Sequence, residues 1–348
     1  DLGSGIAVNS FGTADEKWIG AVMAQLHAFQ HTSNLFYTQP CAQLAQKLCQ
    51  RTGMKKVFFS NSGAESNETA IKAAREYASL TKGPDCYTIV SLKNSFHGRT
   101  LATLAATGQD TFHQHFGPMP QGFVSIDPTT EALEEVVKTT KVAGIMFEAI
   151  QGEGGIQPLN PEFVWNMARI AKEHDIVLIA DEVQCGNGRS GKLYAYMNYA
   201  VQPDVVTTAK GIGGGLPIGV TMLGEKVQDV FKPGLNGSTF GGNPVCCAGA
   251  ISILDRIDDA LMSQVAEKSK YIFQELSGAK GVESVSGMGL MIGVKPVKPT
   301  PEVVAKCREK GVLVLTAKDK LRLLPPLNIP FEQLKQAVAV LKSVCGED

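Results

Sequence analysis

Two periodicities alternate along this chain. Short aliphatic and β-branched runs read as strands at residues 56–60, 87–91 and 142–150, and in two further runs that end at Val183 and Ala209. Between them lie longer stretches with helical spacing. Residues 68–80 form one, and Ser62-Gly63-Ala64-Glu65 ahead of it has the S-x-x-E form of a capping box. Asn160-Pro161 suits an N-cap followed by proline at the first helical position, opening a helix to about His174. Such alternation predicts an α/β fold with a mostly parallel central sheet and helices on both faces, because parallel strands need crossovers that cover them.

The pattern changes after Gly242. Residues 245–256 and 261–277 read as helices, 281–287 and 290–294 as strands, and 331–344 as a closing helix. The expected division is a large unit over 31–242 and a smaller α+β unit over 243–348. Residues 15–30 form an amphipathic helix candidate, and segment 1–30 is expected to pack near the smaller unit.

Composition removes several function classes. With 348 residues there is room for two units and a substantial core. No apolar run approaches the ~20 residues of a membrane span. A net charge of −1 provides no field to gather nucleic acid or anionic lipid, so neither is an expected partner. The eight cysteines are scattered and none forms a C-x-x-C pair, which fits reduced thiols and a cytoplasmic location. The chain opens at Asp1-Leu2-Gly3 without methionine, so a native start upstream is expected.

Candidate chemistry sits at two strand ends. The apolar run 176–180 stops at Asp181, and the run 204–209 stops at Lys210, with Gly211, Gly213, Gly214 and Gly215 just beyond. Ligands of open parallel sheets lie past the carboxyl ends of the strands. An acid and a lysine placed there can hold a ring nitrogen and a carbonyl, and pyridoxal 5′-phosphate (PLP) needs both. Each residue also has a plain reading, Lys210 as a surface lysine and Asp181 as a helix cap or salt-bridge partner. Ser62, Gly63 and Ala64 at a helix start are an anion site or an ordinary cap, and beside Asp181 and Lys210 they fit a phosphate.

Three other stretches carry weaker signals. Residues 186–192 match most of a P-loop, but Leu193 stands where the magnesium-binding hydroxyl belongs. His113 and His115 have no cysteine or acid nearby to complete a zinc set, so no metal is expected. Phe96-His97-Gly98-Arg99 puts an aromatic and an arginine just after a strand, where one can stack on a ring and the other can hold a carboxylate.

Seven motifs then occur in order: Asn61-Ser62-Gly63-Ala64-Glu65, Phe96-His97-Gly98-Arg99-Thr100, the stretch from Glu148 to Gly155, Asp181-Glu182-Val183-Gln184, Ala209-Lys210-Gly211, the stretch from Ser238 to Pro244, and the stretch from Arg322 to Leu327. On these the chain resembles the class III (ω-amino) aminotransferases of fold type I, over nearly all residues from 5 to 327. The resemblance implies a homodimer with two active sites shared at the subunit interface. It implies that Lys210 holds PLP as a Schiff base and later moves a proton, and that Asp181 pairs with the pyridine nitrogen. Phe96 and Val183 are to sandwich the ring, and Gln184 is to reach its phenolic oxygen. Ser62, Gly63 and Ala64 are to hold the phosphate, joined by Thr239 of the partner subunit.

For substrates the resemblance implies N2-acetylornithine and 2-oxoglutarate, turned over in two half-reactions at one site, as in arginine biosynthesis. Ornithine, succinylornithine and 4-aminobutyrate are the alternative amine donors. A non-catalytic PLP-fold binding protein is the alternative of a different class. Arg99 is expected to take the acetylornithine carboxylate. Arg322 is expected to take the glutamate α-carboxylate and otherwise to pair with Glu153, either as a switch or as a permanent salt bridge. The chain departs from the family pattern at Gly12-Thr13-Ala14-Asp15, where relatives usually carry a histidine-containing turn. It departs again at Cys185 and Ser190, which are usually threonine.

Overall fold

A computed structural model describes residues 1–347. Seven strands form the large sheet: β1 (Lys56–Ser60), β2 (Thr88–Leu92), β3 (Phe123–Ile126), β4 (Val142–Phe147), β5 (Val177–Asp181), β6 (Val205–Thr208) and β7 (Gly219–Leu223). Their order is β1-β7-β6-β5-β4-β2-β3. Every neighbouring pair is parallel except those of β7, which runs antiparallel to both β1 and β6. Every residue of β2, β4, β5, β6 and β7 is buried, which explains why their sequences do not alternate between apolar and charged positions.

The run expected as one strand over 142–150 is two elements. β4 ends at Phe147, and Ile150-Gln151 pairs with Gln157-Pro158 in a small hairpin. Apolar residues continue past the break, so periodicity alone did not mark it. The buried acid Glu148 stands at the break.

The helices used below are α1 (Glu16–Ala28), α2 (Gln39–Thr52), α3 (Gly63–Lys82), α4 (Pro161–Glu173), α5 (Pro244–Leu254), α6 (Asp259–Leu276) and α7 (Phe331–Gly346). α3 starts at Ser62, whose Oγ accepts the Glu65 N–H at 3.2 Å. Glu65 reaches back to the Asn61 N–H, one residue further than the reciprocal bond of a capping box. A cap of this kind stabilises a helix start by about 1 kcal/mol. β7 seats the same turn from outside, since a Cβ on Gly219 would lie 2.2 Å from the Ser62 carbonyl oxygen. α4 begins as expected, with Asn160 Oδ1 accepting from Glu162 N and Phe163 N.

The second sheet is antiparallel and four-stranded. β8 (Val282–Met288), β9 (Met291–Pro296), β10 (Leu315–Ala317) and β11 (Lys320–Leu323) lie in the order β8-β9-β11-β10, with α6 and α7 against β8. The first residues of the chain run beside it: Leu2 N donates to Leu313 O at 2.8 Å, and Leu324 N donates to Leu2 O. α1 instead lies on α5, with Trp18 Nε1 donating to Gly213 O at 3.1 Å. None of the α1 residues is buried, and Ile19, Met23 and Leu26 face outward. Among the described residues no helix is long and apolar enough to cross a membrane.

Candidate active site

Asp181 is the last residue of β5 and is 3% exposed. A carboxylate buried without partners costs several kcal/mol, so its surroundings must supply donors. Three do. Asn67 Nδ2 and His97 Nδ1 each lie 2.7 Å from Oδ2, and Val183 N lies 3.0 Å from Oδ1. Asn67 is itself fully engaged. Its other amide hydrogen goes to His97 O at 2.7 Å, and its oxygen accepts the Thr207 hydroxyl at 2.7 Å. The ends of β5 and β6, the loop after β2 and the first turns of α3 are thereby fixed to one carboxylate.

Lys210 follows β6 by two residues. Its φ of 46° is left-handed, a conformation that costs a non-glycine residue about 1 kcal/mol or more. The turn is braced beneath: Asn187 Nδ2 donates to Thr208 Oγ1 at 2.9 Å and to Ala209 O at 3.2 Å. Burial draws the Lys210 amine below the ordinary lysine pKa. Glu153 opposes that shift and Arg322 adds to it.

Lys210 and Asp181 open into a cavity of about 430 Å³, whose wall includes Phe96, Arg99, Val183, Gln184 and the start of α3. At that start, Ser62, Gly63 and Ala64 present the free amides of a long helix. Only glycine fits at position 63, because a Cβ there would lie 2.6 Å from Val183 Cγ1. Phe96 packs edge-on to Phe112 at 5.5 Å, and the exposed Arg99 guanidinium lies 4.4 Å from the Phe112 ring centre.

Glu153 and Arg322 lie outside the cavity wall and reach it through Gln184. Arg322 is 5% exposed, is paired with Glu153, and donates to Gln184 Oε1 at 3.3 Å. Thr239, expected at the phosphate, is not brought to the cavity by this chain. It is exposed in a separate surface depression, although its neighbour Ser238 lies 3.3 Å from Asn61 Nδ2.

The other sequence signals have structural explanations. The P-loop-like stretch is a buried turn in which Arg189, its pKa lowered to about 9 by burial, donates to Leu290 O and Pro325 O. His113 Nε2 faces the carbonyls of Leu104 and Thr107. No cluster of three metal-ligating side chains occurs among the described residues.

A model of the family described as Aminotransferase class-III matches residues 1–345. The chain belongs to the class-III aminotransferases. It is a PLP-dependent transaminase. It is 48% identical over 350 residues to the acetylornithine aminotransferase of Haemophilus ducreyi, a match that spans all of this chain and 89% of that one. The solved N-acetylornithine aminotransferase of Stenotrophomonas maltophilia is similar at 33% identity and a TM-score of 0.86, covering 99% of this chain and 89% of that one. An ornithine aminotransferase of Toxoplasma gondii, with PLP in partial occupancy at its active site, is similar at 30% identity and a TM-score of 0.93, covering 99% and 85%.

The site of this class-III enzyme fits PLP. Asp181 spends three of roughly four acceptor positions on protein donors, which leaves one on Oδ1 for a protonated ring nitrogen. Gly63 lets the start of α3, with its free amides, pack directly on Val183 in the cavity wall, where a phosphate can meet those amides. Sequence reasoning missed Asn67, Thr207 and Glu148. A signal existed for Asn67, since it follows Gly63 by four positions and so shares the face of α3 that meets the site.

Proposed function

We propose that this enzyme moves the terminal amino group of N2-acetylornithine to 2-oxoglutarate, giving the acetylated semialdehyde and glutamate. The observation that carries the proposal is the unequal treatment of two arginines. Arg99 is exposed beside the cavity, while Arg322 is buried and covered by Glu153. N2-acetylornithine has one carboxylate and a neutral amide, so one available arginine suffices. Glutamate has two carboxylates and needs the second. A buried arginine stripped of its acid costs about 3–5 kcal/mol, so Glu153 leaves Arg322 only when another carboxylate arrives. Fold similarity does not separate the substrates, because the ornithine and N-acetylornithine enzymes share the architecture. The 48% identity to an acetylornithine aminotransferase supports the acylated donor.

Bound PLP supplies the electron sink that makes the proton on the amine-bearing carbon acidic. The chain supplies the rest. Asp181 would hold the ring nitrogen protonated. Phe96 and Val183 would cover the ring and exclude water, Gln184 would meet the phenolic oxygen, and Ser62, Gly63 and Ala64 would hold the phosphate. Lys210, whose amine is made less basic by burial, would take the proton from the amine-bearing carbon of the substrate and pass it to the carbonyl-derived carbon of the cofactor.

The working unit in this proposal is a homodimer with shared sites, Thr239 of the partner subunit joining the phosphate, in the cytoplasm and in arginine biosynthesis. Support comes from the exposed Leu35, which lines the Thr239 depression, and from the exposed Phe36, Tyr37 and Phe240 next to Leu35 and Thr239 in the chain, since grouped exposed apolar side chains mark interaction surfaces.

The test is the visible spectrum of the holoenzyme without keto acid. Bleaching of the cofactor band by N2-acetylornithine, and not by ornithine or 4-aminobutyrate, is the expected result. Bleaching by ornithine alone would overturn the substrate.

A further inference from the structure

Glu148 has no task in the chemistry above, yet it is 4% exposed and sits in the wall of the cavity. Its two oxygens point to different loops. Oε2 accepts the Phe96 N–H at 2.9 Å, and Oε1 accepts the Gly152 N–H at 3.1 Å. The first loop carries Phe96 and Arg99, and the second leads at once to Glu153. Gly152 also presses on Gln184, since a Cβ there would lie 2.6 Å from Gln184 Oε1, the atom that accepts from Arg322.

This placement is electrostatically costly. Burial pushes the Glu148 carboxyl up to about 7, and the charge of Asp181 pushes the same way, while His97 opposes it. A neutral glutamine would satisfy one amide but turn an N–H toward the other. A group with two accepting oxygens joins both loops, which is the chemical reason for an acid here.

We infer that Glu148 is a positioning residue that fixes the Glu153 loop relative to Phe96, and so keeps Glu153 on Arg322 while the ω-amine donor occupies the site. The inference rests on the proposed two-substrate reading. With Glu148 weakened, Glu153 separates from Arg322 more easily. Glutamate then gains on the ω-amine donor, whereas disturbance of Phe96 slows both half-reactions alike.

The experiment is single-turnover kinetics of Glu148→Gln holoenzyme with glutamate and with whichever of N2-acetylornithine, ornithine or 4-aminobutyrate the wild type uses. The expected result is a rise of about tenfold in the glutamate to ω-amine ratio of kcat/KM. A ratio within about twofold of wild type, whatever the common loss of rate, overturns the inference. A wild type that prefers ornithine sinks the substrate proposal and leaves the ratio readable. Should the variant fail to fold, hydrogen exchange of the wild-type holoenzyme decides. Slow exchange of both the Phe96 and Gly152 amides supports the link, and fast exchange at either overturns it.

Discussion

Asn67 lies 2.7 Å from Asp181, so the helix whose first turn lines the cavity also holds the acid at its base. In the proposed PLP site both ends are thus set by one rigid element, and their separation is a property of α3. Replacing Asn67 by leucine removes the link and leaves the Thr207 hydroxyl and the His97 carbonyl each short of a partner, at about 1–3 kcal/mol per buried group. The expected outcome is a fall in kcat of about tenfold or more with KM changed far less. Steady-state kinetics beside a PLP titration checks it, and an unchanged kcat would sink the role given to Asn67.

Lys210→Ala should abolish transamination, with a loss of at least about 10³-fold. Borohydride reduction of wild-type holoenzyme should attach the cofactor covalently to the peptide containing residue 210, and the variant should show no such adduct by mass spectrometry. An adduct on another lysine would move the Schiff base elsewhere.

Gly63→Ala should weaken PLP binding before it affects anything else. The new methyl would lie 2.6 Å from Val183 Cγ1, so either the ring wall or the start of α3 must shift. Overpacking of this kind costs about 1–3 kcal/mol, which corresponds to roughly tenfold or more in the dissociation constant of PLP. Fluorescence titration of the apoenzyme reads it, and wild-type affinity would show that the position has room.

Glu182 predicts a pH dependence of stability. It is fully buried, accepts from Ala195 N at 2.7 Å and Tyr196 N at 2.8 Å, and burial pushes its carboxyl up to about 7. Between its ordinary value near 4.5 and about 7, the folded protein holds a proton that the unfolded chain has released. The stabilisation from this group is therefore complete at the acidic end of that window and is lost as pH rises through it. The Tm advantage of wild type over Glu182→Gln should be larger at pH 5 than at pH 8, by an amount on the order of a few °C. A pH-independent difference would refute the assignment.

Local signals carried much of this reading. The capping residues Ser62 and Asn160, the strand β1 and the abrupt stops at Asp181 and Lys210 are all legible one residue at a time. Longer-range features were not. β7 follows a glycine-rich turn and is inserted antiparallel between β1 and β6, and nothing local in Gly219-Val220-Thr221-Met222-Leu223 names those neighbours. Glu148 and Glu182 carry no local sign of their burial, which comes from loops that close over them from elsewhere in the chain. Asn67 and Thr207 meet across 140 residues, a distance that no periodicity spans.

The turn at residues 186–192 also has a mechanical consequence. At one end Asn187 grips Thr208 and Ala209, directly beneath Lys210. At the other, Arg189 is bonded to Leu290 and to Pro325, close to Arg322. A strut anchored at both ends transmits displacement. The peptide that carries the Lys210 amine and the loop that follows Arg322 are therefore held in register by a single turn, so the distance between amine and guanidinium is fixed by the length of that turn.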